Sequence, residues 1–352
     1  MTHMNQKRIE YIDLAKGLCI TLVVLFHVTS RLRIHSQFVI ILTTFLIPLF
    51  LFLTGMFFKE YDGFKGFFSR KVNSLLIPFL FFYITTSFIL PNILYYGLGF
   101  SVAAKESLGI SGAWAFITQE NFANNPIWYL WSAFLACLIF YVCIKGANIL
   151  SSSSTSRAAI VLFICCLLAA LNTWLMAGKL LKNGFLDTTF ALMPFFGMGY
   201  LINQLTNILY PQKWDKWLPL IVVACFLITC FIGGRCGYMN DIYRISPLAQ
   251  YVGGMTGILG IIFLSKYVGK IPFVSYWGRY SLMILCTHAL LLQIYLPIVR
   301  KIHLPIVAEV LVLLVITMFS YQLLIPLMKK YLPYVTAQKD VIIIDKTKNK
   351  TI

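Results

Sequence analysis

Ten apolar stretches, each close to the length that crosses a hydrocarbon core, follow one another along the chain. They fall at 12–30, 38–58, 74–96, 127–145, 158–178, 185–205, 217–233, 248–266, 273–297 and 304–328. A helix rises about 1.5 Å per residue, so roughly 20 apolar residues traverse a bilayer interior about 30 Å thick. The pattern predicts an all-α integral membrane protein of about ten transmembrane helices. The seventh stretch is the shortest, and polar residues interrupt the ninth near its start. Composition agrees: of 352 residues, 59% are apolar and only 12% charged, with a mean hydropathy of +0.81. A soluble domain carries about 25% charged residues. The first stretch is long enough to span, and no small-residue cleavage site follows it. It reads as a signal anchor that stays in the protein.

The formal net charge of +17 raises nucleic acid as a partner. The basic residues, however, form short clusters between apolar stretches and build no basic domain. Loops beside anionic lipid headgroups account for them better, so the expected partner is membrane lipid and not nucleic acid. With the N-terminus inside, the inner segments and the C-terminal tail hold 19 Lys and Arg, and the outer segments hold 9. This bias, with an even number of spans, predicts both termini in the cytoplasm. Residues 8–328 then form the membrane domain and 329–352 a basic cytoplasmic tail. From Ala337 onward the tail reads as a short solvated extension, in which Val341 to Ile344 have the character to pack locally. Eight of the nine cysteines lie inside apolar stretches, where Cys behaves as a small hydrophobe. Cys236 falls in an outer loop. No disulfide framework and no metal site is expected.

The first stretch, RIEYIDLAKGLCITLVVLFHVTS, carries Asp13, Lys16 and His27 where a plain anchor would carry leucine. Ionisable groups inside a membrane helix are costly and mark function. Lys16 and His27 are eleven positions apart, within roughly 20° of three full turns, so they share a face about 16 Å apart along the axis. Asp13 lies three positions before Lys16 on nearly the same face, placed to pair with it. His27 suits base catalysis near neutral pH or covalent catalysis. The plainer alternative is a histidine hydrogen-bonded in a helix interface.

The longest connection, Gly97 to Asn125, is an outer segment with Trp114, Phe116, Glu120, Asn121, Phe122, Asn124 and Asn125. Flat rings and amides suit a sugar ligand; a surface cap without a ligand is the alternative. Arg235, Asp241 and Arg244 form a second outer charged group, read as a solvated loop or as a guide for an anionic glycan. No internal repeat is evident, which weighs against inverted-repeat transporter plans.

Four stretches, taken in order, resemble the acyltransferase-3 family of membrane O-acyltransferases, and within it the fucose 4-O-acetylase-like branch. They are YIDLAKGLCITLVVLFHV (Tyr11–Val28); Phe45 through Thr54-Gly55 to SRKVNSLLIPF (Ser69–Phe79); NPIWYLWSAF (Asn125–Phe134); and WGRYSLMILCTH (Trp277–His288). Lys16 and His27 match the family's basic-x10-His signature. Thr54 stands where serine is usual, and the family's Arg-x-x-Arg is reduced to Arg70-x-x-Asn73 or Lys71-x-x-Ser74. The resemblance implies an O-acyltransferase, most simply an O-acetyltransferase. Its donor would be cytoplasmic acetyl-CoA or another acyl-CoA, and its acceptor a hydroxyl of a cell-surface polysaccharide or lipid-linked glycan. It implies catalytic roles for His27, Lys16 and Asp13, and phosphate contacts from Arg70 and Lys71 at the start of the third helix. Trp128, His288 and Glu120 would then face the acceptor. For each the plainer reading stands beside it: an ion pair for Asp13 and Lys16, positive-inside topology for Arg70 and Lys71, an interface-belt ring for Trp128, helix packing for His288. The alternative function is a polytopic transporter or polysaccharide export component.

Overall fold

The computed structural model describes residues 9–34, 36–93, 124–177, 185–234 and 246–343, and their regular structure is helical throughout. In chain order the helices are α1 (Glu10–Arg31), α2 (Gln37–Met56), α3 (Gly63–Asn92), α4 (Asn125–Leu150), α5 (Ser154–Ala177) and α6 (Phe185–Leu205). There follow α7 (Lys213–Ile232), α8 (Pro247–Val268), the short α9 (Pro272–Arg279), α10 (Ser281–Arg300) and α11 (Ile306–Tyr331). Among the described residues nine helices, all but α6 and α9, are long and apolar enough to cross a membrane. The protein is an all-α, multi-pass membrane protein. The ninth predicted stretch proves to be two helices, broken at Tyr280.

Two helices act as hubs. α1 packs against α2, α8, α9, α10 and α11, and α6 packs against α2, α4 and α5. In its spanning window α1 is 61% buried, whereas the same measure is 22% for α7 and 28% for α11, which present their outer faces to lipid. The polar stretch of sequence therefore runs through the middle of the bundle, where lipid cannot reach it.

Two helices depart from regularity. α2 is interrupted at Thr43–Phe45, between Gln37–Leu42 and Leu46–Met56. The N–H groups of Thr43, Thr44 and Phe45 bond within the turn, to the Ile40, Ile41 and Leu42 carbonyls. Side chains brace the break: Cys19 Sγ donates to the Leu46 carbonyl (3.0 Å), and the buried Thr44 hydroxyl exchanges hydrogen bonds with Gly234 (3.2 and 3.3 Å). α3 contains two π-helical turns, Val72–Leu76 and Ile84–Ile89, just ahead of Pro78 and Pro91. A proline ring clashes with the carbonyl four residues earlier, and a widened turn moves that carbonyl away. α3 also begins earlier than the apolar pattern suggests, at Gly63. Arg70 and Lys71 therefore sit about two turns inside it and not at its start.

Residues 338–343 are exposed, as a solvated extension would be, and Val341 and Ile342 also pack locally. Beyond α11 the backbone turns tightly, with Ala337 at φ 56°, and Asp340–Ile342 returns to hydrogen-bond with α3.

Candidate active site

α1 is fixed by contact of backbone on backbone. Gly17 lies against the Val274 carbonyl and Gly278 against the Asp13 carbonyl, so close that a Cβ on either glycine would collide with that oxygen. Glycine is the residue that permits such an approach. α1 and α9 consequently mesh over the first two turns of α1, which sets the rotation of the whole polar stripe.

Asp13 and Lys16 each border a cavity at this end of α1. Asp13, only 8% exposed, lines a small cavity of about 170 Å³ with Ser275, Tyr276 and Arg279, beside the Glu10–Lys270 ion pair (2.9 Å). Lys16 instead lines a larger cavity of about 310 Å³, where α1, α2, α3, α4 and α10 converge. Its walls are mostly apolar, from Ile20, Phe50, Leu53, Leu75, Leu130, Leu282 and Leu285 among others. Its polar lining comes from Lys16, Lys71, Thr54, Tyr129 and Ser281. Two cationic side chains and no acidic one face this space. A guest with negative charge at one end and an apolar body would meet matching chemistry there.

Lys71 earns its place through its neighbours. Its ammonium lies 5.4 Å from the centroid of the Phe67 ring, one turn earlier on α3. Arg70, one residue earlier, points elsewhere: it is exposed and pairs with Asp340 at 3.4 Å. Of the two basic residues carried over by resemblance, Lys71 faces the cavity and Arg70 the surface.

At the other end of α1 the structure brings together two histidines 261 positions apart in the chain. The rings of His27 and His288 lie 5.0 Å apart, tilted by 54°. His288 is fully buried, and its Nδ1 sits 2.8 Å from the Ile284 carbonyl. A carbonyl only accepts, so Nδ1 carries the proton and Nε2 of the neutral ring holds the lone pair. That Nε2 is buried with no hydrogen-bond partner among the described residues. His27 is less enclosed than His288. Arg31, one turn further along α1, lies close enough to act electrostatically on both rings.

The helix that carries His288 is itself held by polar contacts. Thr287 Oγ1 and the Tyr321 hydroxyl share a hydrogen bond of 2.9 Å, and Asn124 Nδ2 donates to the Cys286 carbonyl (2.7 Å). Asn124 Oδ1 is left buried and unpartnered among the described residues, near the same turn of α10. Leu285, on the cavity wall, is three residues before His288, so cavity and histidine pair adjoin along α10 within about one turn.

Not every residue singled out from sequence reaches the site. Trp128 is half-buried at the start of α4 and does not line the cavity; its neighbour Tyr129 does. The Trp131 ring lies tilted against that of Phe79, ring centroids 5.5 Å apart. Glu120, Arg235, Asp241 and Arg244 lie outside the described residues. Tyr129, Ser281, Thr287 and Tyr321 were missed. Each reads as an ordinary helix residue, and only the convergence of α4, α10 and α11 on α1 gives it a place.

Comparison with known proteins returns one finding. A family model described as an acyltransferase domain matches residues 9–325. No curated protein sequence and no solved structure matches the chain.

Proposed function

Because the chain belongs to the acyltransferase-3 family, and is thus a membrane acyltransferase, we propose that it moves an acyl group, most simply acetyl, from an acyl-CoA to a hydroxyl of a cell-surface polysaccharide or lipid-linked glycan. The observation that carries this reading is the continuity of two chemistries along α1 and α10: a cationic, apolar-walled cavity beside Lys16 and Lys71, and a histidine pair beyond it.

The geometry supports the following roles. Lys16 and Lys71 meet the negative charge of the donor, whose phosphates are anionic, while the apolar wall accommodates its thioester arm. Loop charge supports a cytoplasmic position for this end of α1, where acyl-CoA is made, with the histidine pair towards the outer leaflet. His27 serves the acceptor hydroxyl as general base, withdrawing its proton as oxygen attacks the thioester carbonyl and the thiolate departs. In the covalent variant the His27 imidazole takes the acyl group first and the hydroxyl then displaces it. His288, with a lone pair on a buried Nε2, shares the proton with His27 or orients it. Asp13, three positions before Lys16 on nearly the same face, supports the position and charge of Lys16 from the base of α1.

Mass spectrometry of the host's surface glycan tests the reading. His27→Ala is expected to abolish acylation while membrane insertion and protein level stay normal. Acylation at the parental level in that variant would remove His27 from catalysis. In a null strain, lost acylation on a normal amount of glycan supports an acyltransferase acting on glycan, whereas lost glycan with intact acylation supports an exporter.

A further inference from the structure

The segment after α11 is clasped to α3 by one side chain. Asn73 Oδ1 accepts from the backbone N–H groups of Val341 (3.0 Å) and Ile342 (2.9 Å), and its Nδ2 donates to the Ile342 carbonyl (2.8 Å). Ser69, one turn earlier, donates to the same carbonyl at 3.2 Å. One amide thereby satisfies three backbone groups, as an adjacent strand would. Apolar burial is not what holds the segment, since Val341, Ile342 and Ile343 remain 52%, 43% and 82% exposed. Asn73, at 2% exposed, is the anchor. The residue just before this clasp, Asp340, is thereby set against Arg70, with Oδ2 3.4 Å from Nη1.

We infer that Asn73 is a positioning residue for the donor side: it fixes the C-terminal segment so that the Asp340 carboxylate occupies the Arg70 guanidinium. An anionic donor then reaches Arg70 only by displacing Asp340. The inference rests on the reading that acyl-CoA arrives at this face. A carboxylate and a phosphate are the same kind of acceptor to a guanidinium, so the two compete directly. Arg70 and Asp340 are about half exposed. Such a pair is weak, and removing the competitor gains up to about fivefold in donor affinity. Lys71, one residue along and facing the cavity, is untouched by the exchange.

The test uses the full chain in lipid nanodiscs with coenzyme A as the probe, at low ionic strength where surface pairs are least screened. Asp340→Asn is expected to tighten coenzyme A binding up to about fivefold and to lower KM for acetyl-CoA with kcat unchanged. In an Arg70→Ala background the same substitution is expected to change nothing. Asn73→Ala is expected to release the segment, seen as faster amide hydrogen exchange at 340–343, and coenzyme A is expected to produce the same release in the unaltered protein. Unchanged or weaker binding in Asp340→Asn, or an equal effect without Arg70, overturns the inference and leaves the proposed function standing. Absence of coenzyme A binding to every form, the unaltered protein included, overturns both.

Discussion

The two ends of α1 are built on opposite plans. At the end carrying Asp13 and Lys16, glycine at 17 and 278 lets α1 and α9 approach until backbone meets backbone. At the end carrying His27, the partner is a side chain, His288, on a helix tied by Thr287 to Tyr321 and by Asn124 to its own backbone. The first plan fixes position by shape. The second leaves two imidazole rings facing each other, with a buried nitrogen uncommitted. A rigid base and a chemically open tip suit a helix that must hold a geometry at one end and handle a proton at the other.

That contrast can be broken in order of consequence. If the histidines work as a unit, His27→Ala and His288→Ala each lose roughly 10²- to 10⁴-fold in kcat, and the double variant is no worse than the worse single one. Additive losses in the same acylation assay would show two independent roles. In the cavity next to them, Lys71→Ala removes a charge-assisted contact worth about 1.5–3 kcal/mol, so KM for acetyl-CoA is expected to rise roughly ten- to hundredfold with a smaller change in kcat. Steady-state kinetics on purified protein would show it; a fall in kcat alone would argue against a donor contact. At the glycine interface, Gly278→Ala forces a Cβ into the Asp13 carbonyl, which overpacking makes costly by about 1–3 kcal/mol. A lower thermal midpoint in detergent is the expected result. An unchanged midpoint would mean that α9 simply moves aside and that this end of α1 is no more rigid than the other.

Much of the fold was readable from sequence because hydrophobic length is a local property. All ten apolar stretches correspond to helical regions, and the first was visibly special because Asp13, Lys16 and His27 are expensive in lipid. The break in α2 at Thr43–Phe45 was not readable. The contacts that brace it, Cys19 to the Leu46 carbonyl and Thr44 to Gly234, depend on packing. The early start of α3 was hidden as well, since Gly63–Lys71 is too polar to register in an apolar count.

The site divides the same way. Lys16 and His27 share one helix, so 3.6 residues per turn set their separation before any folding. Asp13 and Lys16 also share it, and each borders a cavity that only helices distant in sequence complete. Arg70 and Lys71 were indistinguishable as a basic pair; the turn of α3 sends one to the tail and the other to the cavity. Asn73 looked like a lost arginine and is the clasp of the C-terminal segment.

The sequence by itself determined a multi-pass helical membrane protein with costly polar residues on its first helix, because hydropathy and helical pitch act within one segment. Only the tertiary structure decided that Lys16 and Lys71 line one cavity, that His27 meets His288 and that Asp340–Ile342 returns to α3. Those encounters join residues far apart in the chain, and what selects them is the close packing of whole helices against one another.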